Sequence, residues 1–234
     1  MERYGTIPDK YTREWWDYIW YYYKWHILGT AFALFFAAVT IGQCALRINY
    51  DAEINYVGNE YYGDTAAVDK ICEELSGIVE DVNGNGKNQV YFRQITVAKE
   101  GTPESMTEYN SGMLTKVALE LQTGDGYLYL LSSQELDRLT GRDTDEIVFA
   151  NPEEYLSDIS RFEETAMQNG IPCAVKLSGK NKFLADHGLT KEPVYLAIRK
   201  IRERDKDKED MIKKYDNAVR SAEYITSSEV GETE

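Results

Sequence analysis

The sequence predicts an α/β domain, a three-layer sandwich with a mostly parallel sheet of about five strands, preceded by one transmembrane helix. Two observations carry that expectation: an uncharged apolar run of twenty residues near the N-terminus, and a regular alternation of strand-like and helix-like segments after it. With 234 residues the chain has room for one ordinary domain plus an appendage.

The apolar run, Ile27 to Leu46, reads ILGTAFALFFAAVTIGQCAL. As a helix it rises about 30 Å, the hydrocarbon thickness of a bilayer, so Ile27–Leu46 is expected to engage the lipid bilayer. Residues 1–26 read as a cytoplasmic and interfacial segment. They hold all four tryptophans, Trp15, Trp16, Trp20 and Trp25, beside a cluster of tyrosines, rings that settle at the headgroup level. At helical period Lys10, Arg13, Glu14, Asp17 and Lys24 share one stripe, and Trp16, Ile19, Trp20 and Tyr23 another. This stretch therefore either lies in the interface or continues the span as a rigid helix.

Arg3, Lys10, Arg13 and Lys24 precede the span, whereas Arg47 alone follows it closely and is succeeded by Asp51 and Glu53. The positive-inside bias places the N-terminus in the cytoplasm and the domain, residues 47–225, outside. The segment before the run is aromatic and charge-balanced, and no Ala-x-Ala site follows, so a retained signal anchor is expected in place of a cleaved signal peptide. Gln43 stands where a lipid-bearing Cys44 would need a small residue before it.

Within the domain, Ala52–Val57 reads as a strand, and Thr65–Glu80 as a helix whose Val68, Ile71, Cys72, Leu75, Ile78 and Val79 form one apolar stripe. Gln89–Val97 is rich in β-branched and aromatic residues. Thr102-Pro103 then caps a helix with the stripe Met106, Tyr109, Met113, Val117 and Leu121, ending at Gly124. Gly126–Leu131, GYLYLL, reads as a central strand covered on both faces, with Ser132 and Glu135 at capping-box spacing after it. Three βα units in succession imply a parallel sheet with right-handed crossovers. Asn151-Pro152 is expected to open a helix with the stripe Tyr155, Leu156, Ile159, Phe162 and Ala166. Ile171–Leu177 and Val194–Arg199 read as strands separated by a short helix near Asn181–His187. A last helix, about Glu209–Ile225, presents Met211, Tyr215, Ala218, Ala222 and Ile225, and residues 226–234 read as a disordered acidic tail.

Charge narrows the function. Residues 1–46 are balanced, so the whole formal net charge of −14 belongs to the part after the span, and a field of that sign repels nucleic acid and anionic headgroups. Cys44, Cys72 and Cys173 show no zinc-ligand spacing. Whether Cys72 and Cys173 pair or remain two buried thiols is left open by the sequence. Asp81, Asn83, Asn85 and Gly86 match the first half of a calcium loop, but its twelfth position is Phe92 where a bidentate carboxylate is required, so a Gly/Asn-rich turn is the simpler reading. No dinucleotide glycine fingerprint or Walker lysine motif is present, and no cofactor or metal is expected. His26 lies at the membrane edge and His187 at a helix end, leaving no base beside a nucleophile. Asp143, Asp145 and Glu146 read as solvated surface. The remaining candidate is the loop after the first strand, with Asn59, Tyr61 and Tyr62 where open α/β sheets hold ligands. Tyr61 and Tyr62 serve equally well there as packing residues.

Several stretches, YYYKWHILG entering the apolar run, then DAEINYVG, ELQTGDGYLYLLSSQELDRL, PVYLAIRK and DNAVRSAEYI, resemble membrane-anchored bacterial proteins whose outer domain looks like one lobe of a type II extracellular solute-binding protein. That resemblance implies an extracytoplasmic, non-catalytic module that binds a small solute or a membrane-protein partner. It carries over no ligand residue, and the length after the span suffices for one lobe where that class clamps its ligand between two. The alternative expectation is a structural or assembly subunit whose aromatic collar and span pack into a larger membrane complex.

Overall fold

The computed structural model describes residues 8–45, 48–61, 65–141 and 147–227, and it divides into two compact units, Met1–Ile48 and Asn49–Glu234. In the first, helix α1 runs without interruption over Arg13–Ala45, 33 residues, or about 50 Å. Thr12 starts it, its hydroxyl accepting the Trp15 N–H at 3.2 Å, the usual way a threonine satisfies an orphan donor. The aromatic segment and the apolar run are thus one helix, the rigid continuation of the two arrangements the sequence allowed. Inside the apolar stretch the Thr40 hydroxyl donates to the Phe36 carbonyl at 2.8 Å, which satisfies that donor within the helix. The helix is long and apolar enough to cross a membrane, and none of its apolar window is buried.

The second unit is an α/β domain of three layers around a six-stranded mixed sheet. Its strands are β1 (Ala52–Gly58), β2 (Val90–Thr96), β3 (Leu128–Ser132), β4 (Thr165–Gln168), β5 (Ile171–Lys176) and β6 (Val194–Ile198). Its helices are α2 (Thr65–Ser76), α3 (Glu108–Thr123), α4 (Ser133–Thr140), α5 (Lys182–Asp186) and α6 (Glu209–Ser227). The strand order is β2-β1-β3-β6-β5-β4. β1 pairs in parallel with β2 and β3, and the other three pairs are antiparallel. One apolar cluster joins Ile71 and Leu75 of α2, Phe183 and Leu184 of α5, and Ala218, Ala222 and Ile225 of α6 to Ile54, Tyr56 and Leu130 of the sheet. The other joins Val117 of α3 and Leu136 and Leu139 of α4 to Val57, Tyr129 and Leu131. Alternate residues of β1 and β3 therefore feed opposite cores, as the period of a strand requires.

Two expectations change. The sheet has six strands, and parallel pairing is confined to β2-β1-β3. The chain between β5 and β6 contains only the five-residue α5, too short to carry the strand back across a face for a parallel return, so β6 enters antiparallel. The sixth strand, β4, occupies part of the segment expected to be a helix from Asn151 to Ala166. There Pro152–Glu154 makes a single 3-10 turn, and the Asp158 carboxylate accepts both the backbone N–H and the hydroxyl of Ser160, at 2.9 and 2.7 Å. Side chains of this kind compete with the helical ladder and end it. Tyr155, Leu156 and Phe162 are nevertheless buried. The β4–β5 hairpin turns on Asn169 and Gly170, at φ 52° and 77°, the two-residue turn that matches strand twist. The boundary expected at residue 225 also moves: α6 continues to Ser227, with Thr226 buried.

Candidate functional site

The loops that leave β1 and β3 lead to helices on opposite faces of the sheet, α2 and α4, and so open the crevice where α/β sheets usually hold ligands. In this protein the chain itself fills it. Glu192, from the segment before β6, extends one carboxylate oxygen that accepts the Tyr56 hydroxyl, the Asn59 N–H at 3.0 Å and, more distantly, the Glu60 N–H at 3.4 Å. The Asn59 amide donates to the Val97 carbonyl at 3.0 Å, holding the ends of β1 and β2 together. A Cβ at Gly58 would run into the Glu192 carboxylate and the Tyr56 ring, so a residue without a side chain is what lets the carboxylate approach. Tyr61 is 66% exposed, and its carbonyl accepts from Lys191 at 3.4 Å. Tyr62 lies outside the described residues. Of the three expected ligand residues, the structure thus puts Asn59 into internal bonding and Tyr61 on the surface. Glu192 was not legible beforehand, because its partners lie more than 130 residues away in sequence.

The other motifs resolve as structure. The Asp81 carboxylate accepts N–H groups of its own loop, from Gly86 and Gly84 at 2.7 Å each, and these hold its carboxyl below the usual carboxylate range. The loop rests on Asp51, fully buried, whose carboxylate accepts from Val82 N at 2.8 Å, Gln89 N at 2.7 Å and the Asn83 amide at 3.2 Å. Phe92 points into the core from β2. Among the described residues no group of three or more His, Cys, Asp or Glu is placed to hold a metal. Asp143, Asp145 and Glu146 are outside the described residues. Cys72 and Cys173 are free and face different cores, on opposite sides of the sheet, which separates them beyond disulfide reach. Burial pushes the Cys173 thiol up to about 11.

His187 caps α5 and sits beside a carboxylate: its Nε2 lies 2.9 Å from Glu74 Oε2, and the Tyr224 hydroxyl donates to Glu74 Oε1 at 2.6 Å. Here the carboxylate stands between imidazole and hydroxyl. A nucleophile needs the imidazole in the middle, so this arrangement ties α2, α5 and α6 together and activates nothing.

An open concavity lies elsewhere. A cleft of about 500 Å³ is bounded by α3, α4, Ile147–Val148 and the chain that follows β6. Its lining includes Leu121, Leu139, Val148, Ile201 and Arg199. Arg199 is 2% exposed. Its guanidinium donates to the carbonyls of Leu121 at 2.8 Å and Gly124 at 2.9 Å and lies 4.8 Å over the Tyr127 ring. Arg202 and Arg204 both reach the Gln122 carbonyl, at 2.8 and 3.1 Å. The bare carbonyls that end α3 are thus met by cations, the favourable sign at a helix C-terminus. Sequence reading saw Arg199 only as the end of a strand; its position after GYLYLL and PVYLAI carries no local sign of the helix end it meets. Compared with known proteins, this chain is matched by no family model, no curated protein and no solved structure.

Proposed function

We propose that this chain is a single-pass membrane-anchored binding module, non-catalytic, that holds a small solute outside the cytoplasm in the manner of one lobe of a type II extracellular solute-binding protein. The observation that carries the reading is the open cleft beside Arg199: its volume falls within the range of small-ligand sites, and it joins apolar walls to a few polar groups, the composition such sites have. The crevice after β1 lies at the other end of the sheet, where Tyr61 is exposed beside a seat already filled by Glu192, and it lines none of this cleft. Anchoring is supported by α1, whose apolar window is wholly exposed, and orientation by the basic residues that precede the span.

A second reading, a structural or assembly subunit, draws on the same helix. Trp16, Trp20 and Trp25 are 58, 56 and 76% exposed, and neighbouring membrane helices can cover such rings.

Topology is tested with cysteines introduced at Lys206, exposed in the domain, and at Lys10, before α1, probed with a membrane-impermeant maleimide on intact cells. Labelling at position 206 without permeabilisation, and at position 10 only after it, is the expected result. The reverse pattern overturns the orientation, and labelling at both positions overturns the span.

A further inference from the structure

Arg199 has a feature that capping a helix does not explain. Both of its terminal nitrogens go to neutral carbonyls, its Nε–H has no hydrogen-bond partner, and among the described residues it forms no ion pair. A buried cation without a counter-charge is costly, and the half-charge of the α3 terminus offsets only part of it. The neighbouring charges do not complete the account. Arg202 is paired with Asp205, and Glu203 with Lys206, while Lys200, exposed at the cleft, has no ion pair among the described residues. Among the described residues the cleft thus holds two cations that form no ion pair, Arg199 and Lys200, in a protein whose net charge is −14. Leu121, Leu139, Val148 and Ile201 also line the cleft, apolar surface whose hydration is unfavourable.

We propose that the cleft binds a small organic monocarboxylate with an apolar body, the carboxylate set against Arg199 and Lys200 and the body against the apolar wall. An inorganic anion would gain nothing from that wall, and a neutral apolar molecule would leave the cations as they are. A polyanion such as a nucleotide would need more donors than the two cations supply, inside a strongly acidic protein. This assignment rests on the reading of the domain as a solute-binding module, and it concerns the chemistry of the solute alone.

Isothermal titration of the full chain in detergent tests it, with 3-phenylpropionate as the probe, 3-phenylpropanol and 3-phenylpropylamine as neutral and cationic counterparts, and empty micelles as the blank. The acid is expected to bind at least about tenfold tighter than either counterpart, since a charge-assisted contact is worth roughly 1.5–3 kcal/mol. Lys200→Glu, an exposed position, should weaken the acid about fivefold or more by reversing one charge at the rim. Val148→Trp, which fills the cleft, should abolish binding, with a thermal melt confirming that each variant is folded. Equal binding of acid and alcohol, both lost in Val148→Trp, overturns the carboxylate assignment and leaves the module intact. Acid binding unchanged in both variants places the ligand elsewhere and overturns the proposal. No heat from any of the three removes the proposal, and with it the cleft as support for the solute-binding module.

Discussion

Replacing Asp51 by asparagine changes one atom and leaves the volume of the side chain as it was, so its effect isolates hydrogen bonding from packing. The buried carboxylate accepts three donors, Val82 N, Gln89 N and the Asn83 amide. An asparagine turns one acceptor oxygen into a donor that faces an N–H. One charge-assisted bond worth about 1.5–3 kcal/mol is lost, and a buried N–H is left without a partner at a further 1–3 kcal/mol or so. Relief of the buried charge returns part of this, leaving a net loss of about 3 kcal/mol. At roughly 2–4 °C per kcal/mol for a domain of this size, the melting temperature should fall by about 6–12 °C. All four tryptophans lie between residues 15 and 25, so their fluorescence does not follow the domain. The near-UV circular dichroism of its buried tyrosines does, with the full chain in detergent. Asp81→Asn, in the same loop but with an exposed carboxylate, should cost less. A melt of Asp51→Asn within about 2 °C of the wild type, or one higher than that of Asp81→Asn, would refute the view that Asp51 is the post on which the loop rests.

Two further outcomes follow from burial. Desolvation raises the Glu135 carboxyl above its ordinary value, against a smaller opposing effect of Gln134 and Arg138. A folded-state value above the unfolded one means that this group costs nothing below the unfolded value near 4.5 and destabilises increasingly as pH rises through the folded one. Glu135→Gln should therefore melt higher relative to wild type at pH 7 than at pH 4, as scanning calorimetry at the two pH values will show, and an advantage that is larger at pH 4 would reverse the sign argued. Cys173 is fully buried with a thiol pushed up to about 11, so a thiol-reactive chromophore at pH 8 should reach it only when the domain opens. Labelling of Cys173 in native protein as fast as in urea would show that the face under α3 and α4 is not closed.

Much of the domain was legible because its signals are local. The alternation in DAEINYV and the unbroken apolar run GYLYLL state their strands directly, and Ser132 with Glu135 marks the start of α4 as the capping geometry requires, the Glu135 N–H pointing to Ser132 Oγ at 3.4 Å. Burial was legible where helix was not: Tyr155, Leu156 and Phe162 face inward from an irregular segment, because a stripe records which side chains leave water without recording the backbone that carries them. The opposite error occurs in α3, where Met106 and Tyr109 continue the apparent stripe but are 90 and 70% exposed. The helix starts only at the Thr107 cap, with Met106 in the 3-10 turn before it. Asn169-Gly170 is a hairpin signal in the sequence that reading the stripe before it as a helix passed over. The site residues were the least legible. Glu192 and Arg199 matter through partners far along the chain, and nothing within a few residues of either distinguishes it from an ordinary surface carboxylate or the end of a strand.

The position of β6 has a consequence for how the chain is made. β3 is buried on both faces and apolar along nearly its whole length, and it lies between β1, which precedes it, and β6, the last strand to be synthesised. Roughly 60 residues separate the end of β3 from the start of β6, so at about 5–20 residues per second the ribosome leaves the inner edge of β3 open for some 3–12 s. The β4–β5 hairpin appears in that interval but reaches β3 only through β6. During those seconds the nascent chain presents a bare, greasy strand edge, the kind of surface on which neighbouring chains add. Yield in the cell will then depend on how quickly the roughly 60 residues between β3 and β6 are delivered, and slow codons placed between β5 and β6 will lower it more than the same codons placed after β6.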